Sequence, residues 1–382
     1  MSINKKNITV AVAMSGGVDS SVAALLLKEQ GYNCIGVTMQ LLDYSITGDY
    51  VDYENACCSL DSIADARLVC SKLKIPHYVV NFSRQFYDSV IDDFITQYLN
   101  GNTPNPCVIC NKKIKWQALI ARVKELGADY IATGHYARVR YNSQTERYEL
   151  LQGVYKAKDQ SYALWAITQE SLARTLFPLG NFTKPEIREM ADRFNLVTAK
   201  KKESMEICFV PDNDYKRFLT SVVDHLEYRV RDGELVTVKG KVVGRHKGYP
   251  FFTIGQRRGL GQGFGKPMYV VAIDAQQNRV IIGEEKYLYS TELVANSVNF
   301  VSIAHAKNGV RAQVKIRYKS PAAQAMIFSL DDGRVRVVFD EPQKAVTPGQ
   351  SAVFYEGEKV LGGGIIESFK RQITTDFLKN NV

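Results

Sequence analysis

Residues 15–21, with the sequence Ser-Gly-Gly-Val-Asp-Ser-Ser, constrain the fold of this chain more than any other segment. They follow an apolar run, residues 8–14, that predicts a buried parallel strand, and an apolar helical pattern comes after them. A strand, a glycine turn and a helix together present backbone N–H groups and the positive end of a helix dipole to an anion. Gly16 and Gly17 let the backbone approach closely, and the serines add hydroxyl donors. The segment lacks the lysine of a Walker A loop, so it predicts an anion site of another kind, in which Asp19 orients a metal ion or a serine.

The first two hundred residues alternate strand and helix patterns. The predicted strands are residues 8–14, 32–39, 77–82 and 129–133, and the predicted helices are residues 22–27, 59–73, 84–99 and 110–126. This alternation indicates an α/β fold, a doubly wound parallel sheet with helices on both faces. Ligands of such sheets bind beyond the carboxyl ends of the strands, where the glycine loop lies.

The pattern changes after about residue 210. A short helix, residues 214–226, precedes many brief strands, among them residues 313–318, 334–339 and 352–355. Asp-Gly and Pro-Gly pairs separate them, as in hairpins. We therefore expect a C-terminal antiparallel β-barrel, and we expect the last residues, 371–382, to fray.

Bulk composition sets broad limits. A chain of 382 residues predicts two or three domains, and its net charge of +9 permits a polyanionic partner without requiring one. The first seven residues have no signal-peptide pattern and no apolar run is long enough to span a membrane, so we expect a cytoplasmic location and no membrane partner. An odd count of seven cysteines argues against a framework of structural disulfides.

Two cysteines stand three residues apart, at Cys107 and Cys110, where a helix is expected to begin. A helix N-terminus and the neighbouring Lys112 and Lys113 are expected to lower the pKa of a thiol there. On its own the pair is compatible with half a zinc site, a redox pair or part of an iron–sulfur site. Cys208 stands alone, and the residues around it are equally typical of a buried structural cysteine.

Taken together, the motifs resemble the tRNA-specific 2-thiouridylase family, a branch of the PP-loop ATP pyrophosphatases. The matching blocks occur in the family's order along nearly the whole chain, at residues 13–20, 36–39, 57–61, 103–107, 110–111, 133–137, 158–162, 206–209 and 253–261. The resemblance implies an ATP-binding catalytic domain at residues 1–211, a small central domain at 212–286 and a tRNA-contacting β-barrel at 287–382.

The family reaction would be ATP-dependent adenylation of the C2 carbonyl of a wobble uridine, followed by sulfur transfer to give 2-thiouridine, AMP and pyrophosphate. Adenylation supplies a leaving group that the carbonyl oxygen lacks, and positioning raises the effective concentration of the sulfur. The implied partners are tRNA, through its anticodon loop, and a sulfur-relay protein. The implied cofactors are ATP and Mg²⁺.

The resemblance also assigns roles to residues. Cys110 would be the catalytic nucleophile, and Cys208 would carry a persulfide before a transient disulfide forms between them. The ATP-binding residues would be Val12, Ala13, Met14, Ser15, Gly16, Gly17, Val18, Asp19, Met39 and Gly134. Asn105, Pro106 and Cys107 would contact the target base. The tRNA contacts would be His135, Lys158, Asp159, Gln160, Arg317, Tyr318 and Gln350.

The chain departs from the family at Cys107, where many members have Asp. Cys107, Cys110 and Cys208 would supply three thiolates, which suits a [4Fe–4S] cluster with one open iron. The persulfide route and the cluster route therefore both remain open from the sequence. Two other classes share part of the pattern: a ligase that adenylates a small molecule, which needs no distant cysteine pair, and an RNA-binding iron–sulfur sensor without turnover.

Overall fold

A parallel sheet of five strands forms the N-terminal part of this computed structural model, which describes residues 5–42, 60–201, 207–210, 212–261 and 263–381. Its strands lie in the order β3-β2-β1-β4-β7. The strands of this part of the chain are β1 Thr9–Ala13, β2 Asn33–Gln40, β3 His77–Asn81, β4 Tyr130–Ala132, β5 Ala137–Asn142, β6 Arg147–Gln152 and β7 Thr175–Leu176. The motif containing Cys57 and Cys58 lies outside the described residues.

Helices cover both faces of this sheet. Val10 and Val12 pack into one hydrophobic cluster, whereas Ala11 between them packs into another on the opposite face. The helices are α1 Val18–Glu29, α2 Leu60–Lys72, α3 (Ser83–Phe86, the π-helical Tyr87–Ile91 and Asp92–Leu99), α4 (Pro106–Cys110, the π-helical Asn111–Ala118 and Leu119–Glu125), α5 Gln169–Ala173, α6 Lys184–Arg193, α7 Tyr215–Val222, α8 Leu226–Val230 and α9 Asp376–Asn381. The predicted doubly wound α/β fold is confirmed.

Helix α4 begins four residues before its predicted start. Pro106 occupies the first turn and Asn105 the N-cap position, although the Asn105 side chain makes no capping hydrogen bond. Proline suits that turn because its missing N–H has no acceptor there in any case.

A smaller sheet follows in the central part of the chain. It contains β8 Gly233–Thr237, β9 Val242–His246, β10 Tyr269–Asp274 and β11 Arg279–Gly283, in the order β10-β11-β8-β9. Strands β11 and β8 run parallel, and the other two pairs are antiparallel. Short 3₁₀ helices occur at Lys5–Asn7, Lys156–Lys158, Ser161–Ala163, Tyr249–Phe251 and Glu285–Leu288.

Six antiparallel strands then close into a barrel, which confirms the sequence prediction. They are β12 Tyr289–Phe300, β13 Val310–Lys315, β14 Ala323–Ser329, β15 Val335–Lys344, β16 Ser351–Glu356 and β17 Lys359–Arg371. The order β12-β15-β14-β13-β16-β17 is completed by pairing of β17 with β12. Strand β17 also pairs with β6, so the β5–β6 hairpin extends the barrel sheet. This hairpin was not predicted.

Two sequence expectations for the C-terminal region are wrong. Strand β13 ends at Lys315 rather than continuing to Tyr318, because residues 317–320 form a turn in which Ser320 N–H donates to the Arg317 carbonyl over 3.2 Å. As far as residue 381, where the described part of the chain ends, the tail is folded: α9 packs Leu378, 1% exposed, into an apolar cluster with the central sheet. Within the described residues, no helix has both the length and the apolar character that crossing a membrane requires.

Candidate functional site: a phosphate loop, two thiols and an interdomain cleft

The loop between β1 and α1 is shaped for an anion. Gly17 is the N-cap of α1 and makes no side-chain capping bond, so the helix N-terminus opens directly onto the loop. Gly16 has φ +69°, and a Cβ there would lie 2.2 Å from the Ser62 carbonyl oxygen. Position 16 therefore requires glycine both for its backbone conformation and for the space beside α2.

The serines of the loop stabilise it from within. Ser20 Oγ donates to the Gly17 carbonyl over 3.1 Å and accepts from Ser15 N–H over 3.2 Å. Ser21 Oγ donates to the same carbonyl over 2.8 Å and accepts from the Thr198 hydroxyl over 3.0 Å. The hydroxyls of Ser20 and Ser21 thus hold the loop in its shape, whereas the sequence indicated donors directed at the ligand.

Asp19 makes contacts that the sequence did not predict. Lys184 Nζ lies 2.7 Å and 2.8 Å from the two Asp19 carboxylate oxygens, and the Tyr136 hydroxyl donates to Oδ1 over 2.8 Å. The Lys184 side chain is 8% exposed and that of Asp19 32% exposed. Asp19 therefore orients no serine; it forms a mostly buried ion pair at the first turn of α1.

The predicted nucleotide residues meet at one edge of the sheet. Val12 and Ala13 end β1 and residues 14–19 follow it, Met39 lies near the end of β2, and Gly134 follows β4, so the set lies at the carboxyl ends of adjacent parallel strands. Gly134 lies against the loop itself, because a Cβ there would be 2.8 Å from Ser20 N. The structure thus brings this set together.

The two cysteines of α4 face different surroundings. Cys107 is exposed, whereas Cys110 is buried in the largest hydrophobic cluster of the protein. Cys208 is half-buried and packs against that same cluster. Next to it, the Phe209 ring lies 5.2 Å from the ring of Phe94 and 5.3 Å from that of Phe218. Cysteines of two remote segments therefore contact the same hydrophobic cluster, which extends from Ala11 in β1 to Val360 in β17.

A metal cluster on the three cysteines does not fit this arrangement. Among the residues that the structure describes, no three His, Cys, Asp or Glu side chains are grouped as metal ligands would be. The opposite exposure of Cys107 and Cys110 agrees with this finding. Cys34 and Cys70 are core thiols, and burial raises the pKa of each to about 11.

His135, predicted to contact tRNA, follows β4 and has both ring nitrogens engaged. Nδ1 lies 2.7 Å from the Thr133 hydroxyl and Nε2 lies 3.5 Å from Lys115 Nζ. Burial and the charge of Lys115 hold the pKa of His135 well below its usual range. The ring is therefore neutral at physiological pH.

Most of the other predicted tRNA residues lie where the barrel meets the catalytic domain. The Tyr318 hydroxyl donates to the Asp159 carbonyl over 3.1 Å, and Gln350 Nε2 donates to the Thr103 carbonyl over 2.9 Å. Asp159 is buried, and its carboxylate accepts from Gly153 N–H and from the Ser161 hydroxyl.

Three further tRNA candidates occupy nearby positions. Lys158 ends the short 3₁₀ helix Lys156–Lys158, and the side-chain oxygen of Gln160 accepts from Tyr136 N–H over 3.0 Å. Arg317 is not on a strand, as the sequence had indicated. Its guanidinium lies in the turn after β13 and donates to the Ala345 carbonyl and to the Thr347 hydroxyl.

A cleft of about 480 Å³ opens between α4, the loop before it and the barrel. Its lining includes Asn105, Lys112 and Lys113 from the catalytic domain. Apolar walls come from Val108, Trp165 and Ile365. Asp93 and Glu367 add carboxylates to this lining. The mixture of amides, charges of both signs and apolar surface can hold a polar organic ligand, and the volume is in the range of small-molecule sites.

Three residues near the phosphate loop were not singled out from the sequence: Lys184, Thr198 and Lys201. Lys201 Nζ lies 2.6 Å from the Asp65 carboxylate and 3.5 Å from the hydroxyl of Ser62, the residue behind Gly16. The sequence does contain a signal for the helix that carries Lys184, since Thr183 and Glu186 form a capping box at the start of α6. Nothing local in the sequence connects that helix with the loop 165 residues earlier.

Three family models match successive parts of the chain. They are described as a tRNA methyl transferase HUP domain at residues 8–212, a tRNA methyl transferase PRC-barrel domain at 220–284 and an aminomethyltransferase β-barrel domain at 290–366. Together with the loop, they define an ATP-using α/β domain of the PP-loop type, followed by two β-rich domains.

Relatives that align with almost the whole chain identify the family. The tRNA-specific 2-thiouridylase of Acetivibrio thermocellus is 50% identical over 359 residues, covering 94% of this chain and 99% of the relative. That of Salinibacter ruber is 51% identical over 358 residues, covering 94% of each chain. This chain belongs to the tRNA-specific 2-thiouridylase family.

A solved structure of the U34-tRNA thiolase NcsA from Methanococcus maripaludis with its [4Fe–4S] cluster is also similar, at 21% identity and a TM-score of 0.34. The match covers 59% of this chain and 69% of that one. At that TM-score the likeness carries no argument about this chain.

Proposed function

We propose that this protein thiolates the wobble uridine of tRNA at C2, using ATP to activate the carbonyl and Cys208 and Cys110 to deliver the sulfur. The observation that carries the proposal is the combination of a phosphate loop at the sheet edge with two remote cysteines bordering one apolar cluster. A ligase for a small molecule would need the loop but not the cysteine pair. We include a cytoplasmic location, where tRNA is modified, in the same proposal.

The first step uses the phosphate loop. ATP binds along residues 12–19 with its adenosine side toward Met39 and Gly134, and its phosphates face the N-terminus of α1. The uridine C2 oxygen attacks the α-phosphorus, and pyrophosphate leaves. Mg²⁺ would neutralise charge on the phosphates. Asp19 is not assigned to this ion, because both of its carboxylate oxygens already contact Lys184 Nζ.

The second step uses the cysteines. A sulfur-relay protein transfers a sulfur to Cys208, and the terminal sulfur of that persulfide attacks C2 and displaces AMP. The Cys110 thiolate then attacks Cys208 Sγ, so the S–S bond to the substrate breaks and 2-thiouridine is released. The resulting Cys110–Cys208 disulfide needs two electrons from an external thiol before the next turnover.

The anticodon loop would enter at the cleft beside α4. Asn105, Pro106 and Cys107 would contact the target base after it leaves its stack. The residues assigned to the surrounding RNA are His135, Lys158, Asp159, Gln160, Arg317, Tyr318 and Gln350. The hydrogen bonds of Tyr318 to Asp159 and of Gln350 to Thr103 support this assignment, because they join the barrel to the catalytic domain. Thr103 and Gln350 are also next in sequence to Pro104 and Gly349, which line the cleft. We do not propose the iron–sulfur route, since Cys107 and Cys110 differ in exposure and the described residues show no ligand group.

A reconstituted assay tests the proposal. Iron-free protein loaded with persulfide sulfur is mixed with ATP and a tRNA transcript, and 2-thiouridine and AMP are measured over a single turnover. We expect both products in equal amounts with U34 and neither with a U34C transcript. Equal AMP release from both transcripts would exclude RNA as the activated substrate. Thiolation that appears only after iron–sulfur reconstitution would exclude the persulfide route.

A further inference from the structure

We infer that Lys184 is a positioning residue for ATP: it neutralises and fixes Asp19, so that the N-terminus of α1 stays attractive to a polyphosphate. Lys184 is the first residue of α6 and is brought to the loop from 165 positions away in the chain. The inference rests on the proposed binding of ATP at this loop, but not on the thiolation chemistry.

The charge at the loop explains why such a residue is needed. The helix N-terminus offers the equivalent of about half a positive charge to an anion. Asp19, in the first turn of α1, puts a full negative charge beside it. Alone, this carboxylate would repel ATP from a site otherwise built for phosphate.

Lys184 and Tyr136 compensate the negative charge of Asp19. Lys184 Nζ contacts both carboxylate oxygens, at 2.7 Å and 2.8 Å, and the Tyr136 hydroxyl binds Oδ1. Lys184 Nζ also lies 5.8 Å from the centre of the Tyr136 ring. With 8% of its side chain exposed, Lys184 is screened little by water, so its charge acts at nearly full strength on Asp19.

The anchoring of Lys184 supports a positioning role. Thr183 and Glu186 form a complete capping box at the start of α6, and Pro185 follows Lys184 in the first turn. Ile187 and Ala191 of the same helix are fully buried in the cluster that also contains Val18 and Val22 of α1. The two helices therefore hold lysine and carboxylate in fixed relation, as a pre-organised site requires.

A series of nucleotides of increasing charge tests the inference. In Lys184→Met, the dissociation constant of ATP should rise about tenfold or more, that of AMP less, and that of adenosine hardly at all. Lys184→Arg should bind ATP, AMP and adenosine with the relative affinities of the wild type, because arginine keeps the positive charge. The double variant Asp19→Asn/Lys184→Met should recover much of the ATP affinity, since it removes the repulsion as well as its neutraliser.

The outcomes separate this inference from the proposed function. Equal loss of affinity for adenosine, AMP and ATP in Lys184→Met would reduce Lys184 to a structural role and overturn the inference. Unchanged ATP affinity would do the same. Wild-type protein that binds no ATP would instead overturn the proposed function. Lys344→Met, which removes an exposed ion pair with Glu285 in the barrel region, is the matched control and should bind all three ligands normally. Circular dichroism of each variant confirms that the folded state is intact.

Discussion

The phosphate loop and the cysteine-bearing segments of this protein are held in different ways. The loop has hydrogen bonds from Ser15, Ser20 and Ser21, a buried ion pair and a glycine that admits no other residue. Cys110 and Cys208 instead lie along an apolar cluster. Cys110 is buried where α4 becomes π-helical, and Cys208 is half-buried in a turn. Polar bonds with fixed directions define the first site, whereas non-directional packing surrounds the second.

This difference matches what each half of the proposed reaction demands. Phosphate binding benefits from donors that need no reorganisation when the ligand arrives. Sulfur transfer requires a sulfur to reach the substrate carbon and then a second thiol, so its groups must move. We therefore expect mutations in the loop to affect nucleotide binding and mutations at the cysteines to leave it intact.

Substitutions of the two cysteines should separate sulfur transfer from adenylation most clearly. Cys110→Ser and Cys208→Ser should each reduce tRNA thiolation at least about a thousandfold, because a hydroxyl cannot carry or resolve a persulfide. ATP–pyrophosphate exchange in the presence of tRNA should stay within about threefold of wild type, because no cysteine takes part in adenylation. Cys34→Ala, which alters a core thiol, is the control and should still thiolate. If exchange fell together with thiolation, the two regions would not be separable.

Gly16→Ala should instead weaken nucleotide binding, and thiolation should fall with it. The added Cβ would lie 2.2 Å from the Ser62 carbonyl oxygen in a backbone with φ +69°, so the loop has to shift. Each hydrogen bond lost to a charged phosphate costs about 1.5–3 kcal/mol, so we expect the dissociation constant of ATP, measured by calorimetry, to rise about ten- to a hundredfold.

The control for that variant is Gly31→Ala at the end of α1. Gly31 also has a positive φ, +88°, but a Cβ there meets nothing within 4 Å. It should cost about 1 kcal/mol of stability and leave ATP affinity unchanged. Equal losses of affinity in both variants would show that strain, rather than the shape of the loop, is responsible.

A smaller effect is expected where the barrel contacts the segment before α4. Gln350→Ala removes hydrogen bonds to the carbonyls of Thr103 and Pro104 at 2.9 Å and 3.2 Å. At about 1 kcal/mol for each lost bond, misplacement of this segment should raise the KM for tRNA by up to about thirtyfold while the KM for ATP stays constant. Gln343→Ala, whose amide contacts only the nearby Glu341 carbonyl among its described bonds, should leave both constants unchanged.

The smallest effect concerns stability in the central domain, outside both regions. Burial lowers the pKa of His246 from 6.5 to about 4, so the folded state favours the neutral ring. This contribution to stability is complete above pH 6.5 and is lost as the pH falls toward 4. At about 1.4 kcal/mol per pH unit the full shift corresponds to about 3.4 kcal/mol, and solvent screening of the incompletely buried ring reduces the expected decrease in the free energy of unfolding to about 2 kcal/mol. His246→Gln should flatten this part of the pH profile of chemical denaturation, and an unchanged profile would contradict the assignment.

The sequence predicted the parts of this fold that local patterns control. The apolar strand before residue 15 and the spacing of glycine and serine after it indicated the loop and its place at the sheet edge. Turns at Asp332-Gly333 and Pro348-Gly349 do separate strands of the barrel, as expected. The Tyr318 position was wrong because the turn after β13 depends on a hydroxyl two residues later, at Ser320, that no strand pattern reveals.

What the sequence did not predict depends on contacts between distant segments. The Lys184–Asp19 pair joins residues 165 positions apart, and either residue alone is typical of a solvated helix terminus. The roles of the serines were misassigned for the same reason, since Thr198 occupies the Ser21 hydroxyl only once the chain has folded. The short strand β7 contains only Thr175 and Leu176, too few residues for any periodicity to appear.

Strand β17 has a consequence for how the protein is made. It is synthesised long after the hairpin with which it pairs, since Lys359 and Val360 pair with Leu151 and Leu150, and the rest of the strand closes the barrel against β12. A nascent chain can thus assemble its nucleotide-binding half while the β5–β6 hairpin still lacks its neighbour. Premature termination before residue 359 would leave an exposed sheet edge in the N-terminal half and an open barrel. Quality control could then recognise the unfinished enzyme before it engages RNA.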